Sequence, residues 1–310
     1  STRHNEKFLE ILAKLEKIMT KKGEWQKAKA YNKGQESIMK ITEDISTVKD
    51  LEKKPGIGNS ILSKFEEYIK TGTLSVLELE KNNPINILTD VYGIGPKNAE
   101  LFVKQGIDSI EKLEKNKDKL NDKQKIGLMY YYDILERIPR EEILEYQKLF
   151  SEVFESIKDN EDAKFEIVGS FRRGAETSGD IDIIINDEKS FTEFIKVLTE
   201  KEILLEMLTD GKVKKLTIAR LPGSKARRID FLYSPPEEYA FAVLYFTGSK
   251  SFNVAMRGHA TTMNLTLNEH GLSDFKDKVK GDSVKHDFPD EKSIFDFLGL
   301  EYKNPEERKD

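Results

Sequence analysis

Gly169-Ser170-Phe171-Arg172-Arg173-Gly174-Ala175-Glu176-Thr177-Ser178-Gly179-Asp180-Ile181-Asp182 runs from a Gly-Ser turn into two acids that bracket one apolar residue. The β-branched run Ile181-Asp182-Ile183-Ile184-Ile185 that closes it reads as a strand. Side chains alternate along a strand, so Asp180 and Asp182 share one face while Ile181, Ile183 and Ile185 face a core on the other. Two carboxylates pointing together repel unless a cation lies between them, and hard oxygen ligands suit Mg²⁺. A third acid, Asp230, stands in the apolar run Ile229-Asp230-Phe231, where a charge is costly unless paired or bound to metal. An ion pair with Arg227 or Arg228 is its other reading. Three convergent acids are what two-metal phosphoryl transfer requires: one ion activates the attacking oxygen, the other holds the triphosphate and leaving group. Arg172 and Arg173, with Ser170 nearby, offer guanidinium and hydroxyl groups to phosphate oxygens, or form a solvated basic turn.

Around this segment lie further strands, at Phe165–Val168, Lys215–Ala219 and Arg228–Leu232, with a helix from about Phe191 to Glu200 among them. Upstream the pattern is helical. Phe8, Ile11, Leu12, Leu15, Ile18 and Met19 follow the spacing of an amphipathic helix, and Ile61, Leu62, Phe65, Tyr68 and Ile69 mark another, closed by Gly72. Helices are also expected at Lys97–Lys104, Gln124–Arg137, beyond Pro139, Glu237–Phe246 and Phe252–Met263. The expected fold is multidomain α and α+β: a helical front half, an α+β domain, then a smaller mixed segment.

The 310 residues suffice for two or three domains and a real core. Residues 1–140 carry 26 Lys+Arg against 22 Asp+Glu, and residues 141–310 carry 25 against 34, which supports a boundary near the Ile138-Pro139-Arg140 turn. The overall charge of −5 therefore leaves room for a local nucleic-acid patch. With no Cys, disulfide scaffolds, thiolate metal sites and cysteine nucleophiles are excluded, and 4 His make a histidine zinc site unexpected. No apolar run reaches the roughly 20 residues of a membrane span, and the start at Ser1–Lys7 lacks an apolar leader, so a soluble intracellular protein is expected.

Gly56-Ile57-Gly58 recurs as Gly93-Ile94-Gly95, 37 positions on, each copy between helical segments. Glycines permit a tight interhelical turn, and the next helix then points free N–H groups and its positive dipole end outward, where a DNA phosphate fits. This is the helix-hairpin-helix arrangement, which contacts backbone and carries little sequence information. A sharp turn with no ligand is the plainer reading.

The Gly169-Ser170 turn before Asp180-Ile181-Asp182 resembles the nucleotidyltransferase signature. Gly169–Glu176 and Tyr245-Phe246-Thr247-Gly248-Ser249 are similar to family X DNA polymerases, the β-type members most closely, as are Ile138–Glu142, Gly93–Pro96, Arg227–Asp230 and Ile294–Asp296. The resemblance covers nearly the whole chain. It implies a helical lyase-like domain with the first hairpin at 1–80, a DNA-binding subdomain with the second at 81–140, a catalytic palm at 141–235 and a nucleotide-binding subdomain at 236–310. The implied activity is templated DNA synthesis into short gaps during base excision repair, with 5′-deoxyribose phosphate lyase activity beside it.

By the same resemblance Asp180 and Asp182 hold two Mg²⁺ ions, with Mn²⁺ a substitute, and Asp230 completes the site for the attacking 3′-hydroxyl. Arg140, Ser170, Arg173, Ser178 and Gly179 match contacts to the incoming triphosphate. Tyr245, Phe246 and Gly248 match the deoxyribose wall, and Asn253 a contact to the base. Arg228 and Arg257 fall among the DNA-contacting positions, Arg257 probing the template. Carbonyls of Thr89, Val91 and Ile94, and of Glu52, Lys54 and Ile57, match Na⁺ or K⁺ sites in the two hairpins. Lys64 matches the Schiff-base lysine, and Lys27 and Tyr31 its phosphate pocket. The partners implied are gapped or nicked DNA and a dNTP, with no membrane, a monomeric state and a nuclear place of work, a viral or cytoplasmic one being the other reading.

The chain departs from that pattern in places. Lys250 replaces an Asp, and Leu232 replaces an Arg that pairs with a metal-binding Asp in the relative's open form, whereas Glu269 remains. Gln26, Glu52, Ser60 and Val76 replace a His and three Lys, thinning the charge that would depress the pKa of a lysine nucleophile. An ordinary exposed lysine is the other reading of Lys64. A template-independent nucleotidyltransferase shares the Gly-Ser and paired-acid core, and a non-catalytic hairpin DNA-binding protein shares the turns.

Overall fold

The computed structural model describes residues 3–309; Ser1, Thr2 and Asp310 lie outside the described residues, and with the first two the start of the stretch read for a leader. The chain divides into two compact units, Ser1–Tyr131 and Tyr132–Asp310.

Among its described residues the first unit has helices and no strands, and it has two cores. Phe8, Leu12 and Leu15 of the helix Asn5–Lys21 bury against Ile38 of Trp25–Met39 and Phe65 of Asn59–Thr71, with the Phe8 and Phe65 rings stacked 3.8 Å apart. Leu88, Val91, Ala99 and Leu113 form the second core, among the helices Pro84–Leu88, Pro96–Lys104, Ile110–Glu114 and Asp122–Met129. The helix expected over Gln124–Arg137 is two, Asp122–Met129 and Tyr131–Leu135, the first ending at Tyr130.

In the second unit the strands are β1 (Ile138–Pro139), β2 (Phe165–Ile167), β3 (Thr177–Ser178), β4 (Ile181–Ile185), β5 (Leu204–Asp210), β6 (Lys214–Ala219), β7 (Arg227–Tyr233), β8 (Leu265–Asn268), β9 (Gly271–Lys276) and β10 (Val279–Ser283). The main sheet has the order β2-β4-β7-β6-β5, with only β4 and β7 parallel. Ile181, Ile183, Ile185, Ile229 and Phe231 of the sheet pack beneath Phe150 and Phe154 of the helix Arg140–Ile157 and Phe194 of Glu188–Glu200. The opposite face is partly covered as well: Ile184 meets Tyr239, Ala242 and Val243 of the helix Pro236–Thr247, so β4 is apolar at both of its faces beyond Asp182.

Two features differ from the sequence reading. β5 reads Leu-Leu-Glu-Met-Leu-Thr-Asp, rich in residues that favour helix, and is a strand because it pairs with β6 at the sheet edge, through irregular register. Ile138-Pro139, expected as a turn, pairs with Thr177-Ser178, and Pro139, which has no N–H to donate, leads directly into the helix at Arg140. The last 45 or so residues hold the β8-β9-β10 meander and the helix Glu291–Phe297 around Phe241, Leu244, Met256, Ile294 and Phe295.

Candidate active site

β4 and β7 lie side by side with Asp182 directly opposite Asp230. Asp180 precedes β4 by one residue, and each of the three acids offers a carboxylate oxygen within 4.8 Å of the other two. Arg228 donates to Asp230 at 2.8 Å, so the ion-pair reading of Asp230 holds for Arg228 together with the cluster reading. Arg227 instead grips Glu142 through Nε at 2.6 Å and Nη2 at 3.0 Å. Burial, then Asp180 and Asp230, pushes the Asp182 carboxyl up to about 7. The protein crowded around the Asp180 carboxyl, and after it Asp230, holds that group above its ordinary value too, although the residue keeps an open surface. Carboxylates this close cannot all carry charge without a cation among them. Three hard oxygen donors on one face fit a divalent ion of the Mg²⁺ type.

The loop before β4 is fixed from several sides. Gly169 has φ +69, and a Cβ there would lie 3.6 Å from Asp182 Oδ2, so this turn brings bare backbone beside the acid. Val168 N–H donates to the Asp182 carbonyl at 2.9 Å, and the Ser170 and Ser178 hydroxyls meet at 2.9 Å. Gly179 is exposed between Ser178 and Asp180. Arg140 lies over the Phe171 ring at 4.3 Å and donates to the Phe171 carbonyl at 2.6 Å, shaping the loop. Arg173 donates to the Thr247 carbonyl at 2.6 Å. Arg172, read as a phosphate group-holder beside it, is turned to the buried Glu291, which it meets at 2.6 Å and 3.0 Å.

The helix Pro236–Thr247 ends in Tyr245, Phe246 and Thr247, Gly248 has φ +66, and the Ser249 hydroxyl caps the helix Lys250–Thr262. Asn253 donates to the Tyr245 carbonyl at 2.8 Å, and Tyr245, Asn253 and Arg257 line one small pocket. Leu232 is half-buried against the Tyr239 cluster, and its cross-strand neighbour is Lys214, whose charge draws both Asp180 and Asp182 downward against the larger raising effects. Glu269 lies 3.6 Å from His270, which also meets Glu238 at 2.6 Å.

In the helical unit the two turns repeat in detail. Lys54 N–H bonds Leu51 O and Ile57 N–H bonds Lys54 O; Val91 to Leu88 and Ile94 to Val91 are the same bonds in the second copy, all at 3.1 or 3.2 Å. Ile57 and Ile94 are buried, and Gly56 and Gly93 have φ +80 and +90. Gly58 and Gly95 are different: each has an ordinary φ at the N-cap of the following helix, and nothing lies within 4 Å of a Cβ built there. Of the cation carbonyls read from the resemblance, those of Lys54 and Val91 each accept one of these turn bonds; Glu52, Ile57, Thr89 and Ile94 flank them. Lys64 Nζ donates to Ser60 Oγ at 2.8 Å and lies 5.9 Å from the Tyr31 ring, in a cleft of about 530 Å³ that Lys27, Gly56 and Gly58 also line.

Several residues that build these sites escaped the sequence reading. Gln124 caps its helix with Asn121 and donates to the Gly93 carbonyl at 3.2 Å; the spacing Asn-x-x-Gln is a capping-box signal that marks it. Gly127 packs so closely that a Cβ would stand 2.1 Å from the Tyr92 carbonyl oxygen. The Glu142–Arg227 and Arg172–Glu291 pairs join residues far apart in sequence and carry no local signal.

The sheet and the acids of the second unit define a class, a nucleotidyltransferase palm, and the helical unit carries two hairpin turns. Family models match at 3–74 (helix-hairpin-helix domain), 86–135 (fingers domain of DNA polymerase lambda), 137–236 (DNA polymerase beta palm) and 242–309 (DNA polymerase beta thumb). DNA polymerase lambda of Rattus norvegicus is 31% identical over 99% of this chain and 57% of its own length. DNA polymerase lambda of Arabidopsis thaliana is 33% identical over 98% and 62%. DNA nucleotidylexotransferase of Xenopus laevis is 28% identical over 90% and 63%. The chain belongs to the family X DNA polymerases. It spans about three-fifths of the length of the curated relatives it matches. No helix among the described residues is long and apolar enough to cross a membrane.

Proposed function

We propose that this chain is a DNA-templated DNA polymerase that fills short gaps in base excision repair, with a 5′-deoxyribose phosphate lyase site in its helical unit. The observation that carries the reading is the set of three carboxylates within 4.8 Å, presented by paired parallel strands. Asp180 and Asp182 would hold two divalent ions, Mg²⁺ or in its stead Mn²⁺, which when bound supply Lewis-acid stabilisation of the developing charge. Asp230, oriented by Arg228, faces the attacking primer 3′-hydroxyl. Ser170, Ser178, Gly179, Arg140 and Arg173 frame the triphosphate. Tyr245, Phe246 and Gly248 wall the sugar, where a ribose 2′-hydroxyl would crowd backbone. Asn253 meets the base, and Arg257 the template.

Gly58 and Gly95 support the hairpin part of the proposal. Neither φ nor packing inside the protein requires glycine at these helix starts. A DNA phosphate approaching the first N–H groups of each helix does. Na⁺ or K⁺ on the neighbouring carbonyls belongs to the same proposal, as do the four-part division at 80, 140 and 235, the monomeric state and a nuclear location. At the lyase site the neutral Lys64 amine would attack the sugar aldehyde; water leaves as the imine forms, and elimination then breaks the bond to the 3′ phosphate.

The similarity to a nucleotidylexotransferase keeps one second reading, template-independent addition. Primer extension separates the two. With Mg²⁺ and all four dNTPs, the proposal expects the complementary nucleotide alone to enter a one-nucleotide gap, and little addition to a single strand. Equal addition with and without template supports the second reading.

A further inference from the structure

The Lys64 cleft holds, beside Lys64 and Lys27, a third lysine that the resemblance does not supply. Lys22, just after the first helix, lines it together with Lys64, Ser60 and Lys27. Its ammonium donates to Glu80 Oε1 at 2.8 Å. Glu80 is in turn fixed at its other oxygen by Asn83 Nδ2 at 3.0 Å and Asn86 Nδ2 at 2.8 Å, and its side chain is only 12% exposed. A long, floppy side chain is thereby held with its head at the cleft wall, 26% exposed, using one of three N–H donors. Glu80 and Glu24 line the cleft as well, and the two ammonium N–H groups of Lys22 that Glu80 does not take are the ones an anion would use. Lys27, by contrast, is exposed and loosely paired with Glu24 at 3.5 Å.

We propose that Lys22, positioned by Glu80, is the anchor for a terminal phosphate monoester in the cleft whose reactive amine is Lys64. The claim rests on the reading of Lys64 as an imine-forming lysine: amine and anchor together select a sugar aldehyde that bears a phosphate. Lys22 supplies the cation that Ser60 and Val76 do not, and Glu80 is a positioning residue.

The test uses the full chain and a duplex with a one-nucleotide gap whose downstream strand ends in either a 5′-phosphate or a 5′-hydroxyl. The readout is the phosphate preference, the dissociation constant of the hydroxyl duplex divided by that of the phosphate duplex. One charge-assisted hydrogen bond at a partly exposed site predicts that Lys22→Ala lowers this ratio roughly five- to tenfold, while Lys22→Arg keeps most of it. Thermal unfolding of each variant shows that the unit is folded. A folded Lys22→Ala protein with the parent's phosphate preference overturns the proposal. Borohydride trapping of an incised abasic site is run beside it: if the parent gives no adduct while the phosphate preference still depends on Lys22, the lysine-nucleophile reading fails and the anchor stands.

Discussion

Glu291 illustrates what a single residue carries in this protein. It is buried, and accepts from Arg172 on one side and from Arg308, itself fully buried among Phe252, Phe295 and Tyr302, on the other. Burial alone would raise its pKa; the hydrogen bonds from Arg172 and Arg308 outweigh that, and the group sits below the ordinary carboxyl value. Glu291→Ala leaves two guanidinium groups without their shared partner, so a loss of about 3–5 kcal/mol is expected in denaturant unfolding. Because the folded pKa is depressed, the stabilisation is complete above the unfolded value of 4.5 and is lost as pH falls through the folded pKa. The gap between parent and Glu291→Gln in urea midpoint should therefore be wide at pH 7 and narrow on acidification below about 4.5; a gap that widens contradicts the assignment. At Lys64, borohydride should trap the parent on an incised abasic site and fail with Lys64→Ala, and Ser60→Lys should increase trapping by placing a second ammonium where Lys64 now donates to Ser60. The acids at 180, 182 and 230 were legible because strand period and an acid inside an apolar run are local signals. Glu291 was not, since its partner Arg172 lies 119 positions away.

The hairpins are the elements where sequence and structure agree in most detail. The 37-residue repeat is carried by equivalent hydrogen bonds and by buried pairs Leu51/Leu88, Ile57/Ile94 and Phe65/Phe102. The two glycines of each turn nevertheless do different jobs. Gly93 has a positive φ and a Cβ there would press the Gln124 backbone at 3.1 Å, whereas Gly95 opens onto space. Gly95→Ala and Gly58→Ala should change stability by no more than about 1 kcal/mol and weaken DNA binding severalfold, measured by anisotropy on a gapped duplex. Unchanged DNA affinity in both would remove the turns from the DNA interface. Gly127→Ala should do the reverse: a methyl against the Tyr92 carbonyl costs roughly 1–3 kcal/mol or more and displaces the turn that Gln124 holds, which thermal unfolding reads. A glycine inside a helix is normally read as a mere weakness, which is why Gly127 gave no warning. β5 was illegible for a related reason: its composition favours helix, and only the β6 edge decides its state.

At the scale of the molecule, the acidic total conceals a front half in which Lys and Arg outnumber Asp and Glu, and that half carries both hairpins. Binding to gapped DNA should therefore fall steeply with salt, the logarithmic slope counting about 0.9 per phosphate neutralised, and a flat response would exclude backbone contacts as the main source of affinity. The cores of the two units share no residues, so Gly127→Ala and Glu291→Ala should act additively on unfolding, within about 0.5 kcal/mol, as sites without shared partners do. Templated nucleotidyl transfer is the reaction proposed for the carboxylates of Asp180, Asp182 and Asp230. Its most direct measurement is single-turnover insertion into a one-nucleotide gap with Mg²⁺, comparing the parent with Asp182→Asn at equal DNA occupancy. The amide keeps the shape and removes the charge that draws the ions, so the rate should fall on the order of 10³-fold or more with gap affinity nearly unchanged. An Asp182→Asn protein that inserts the complementary nucleotide at half the parent rate would contradict the account.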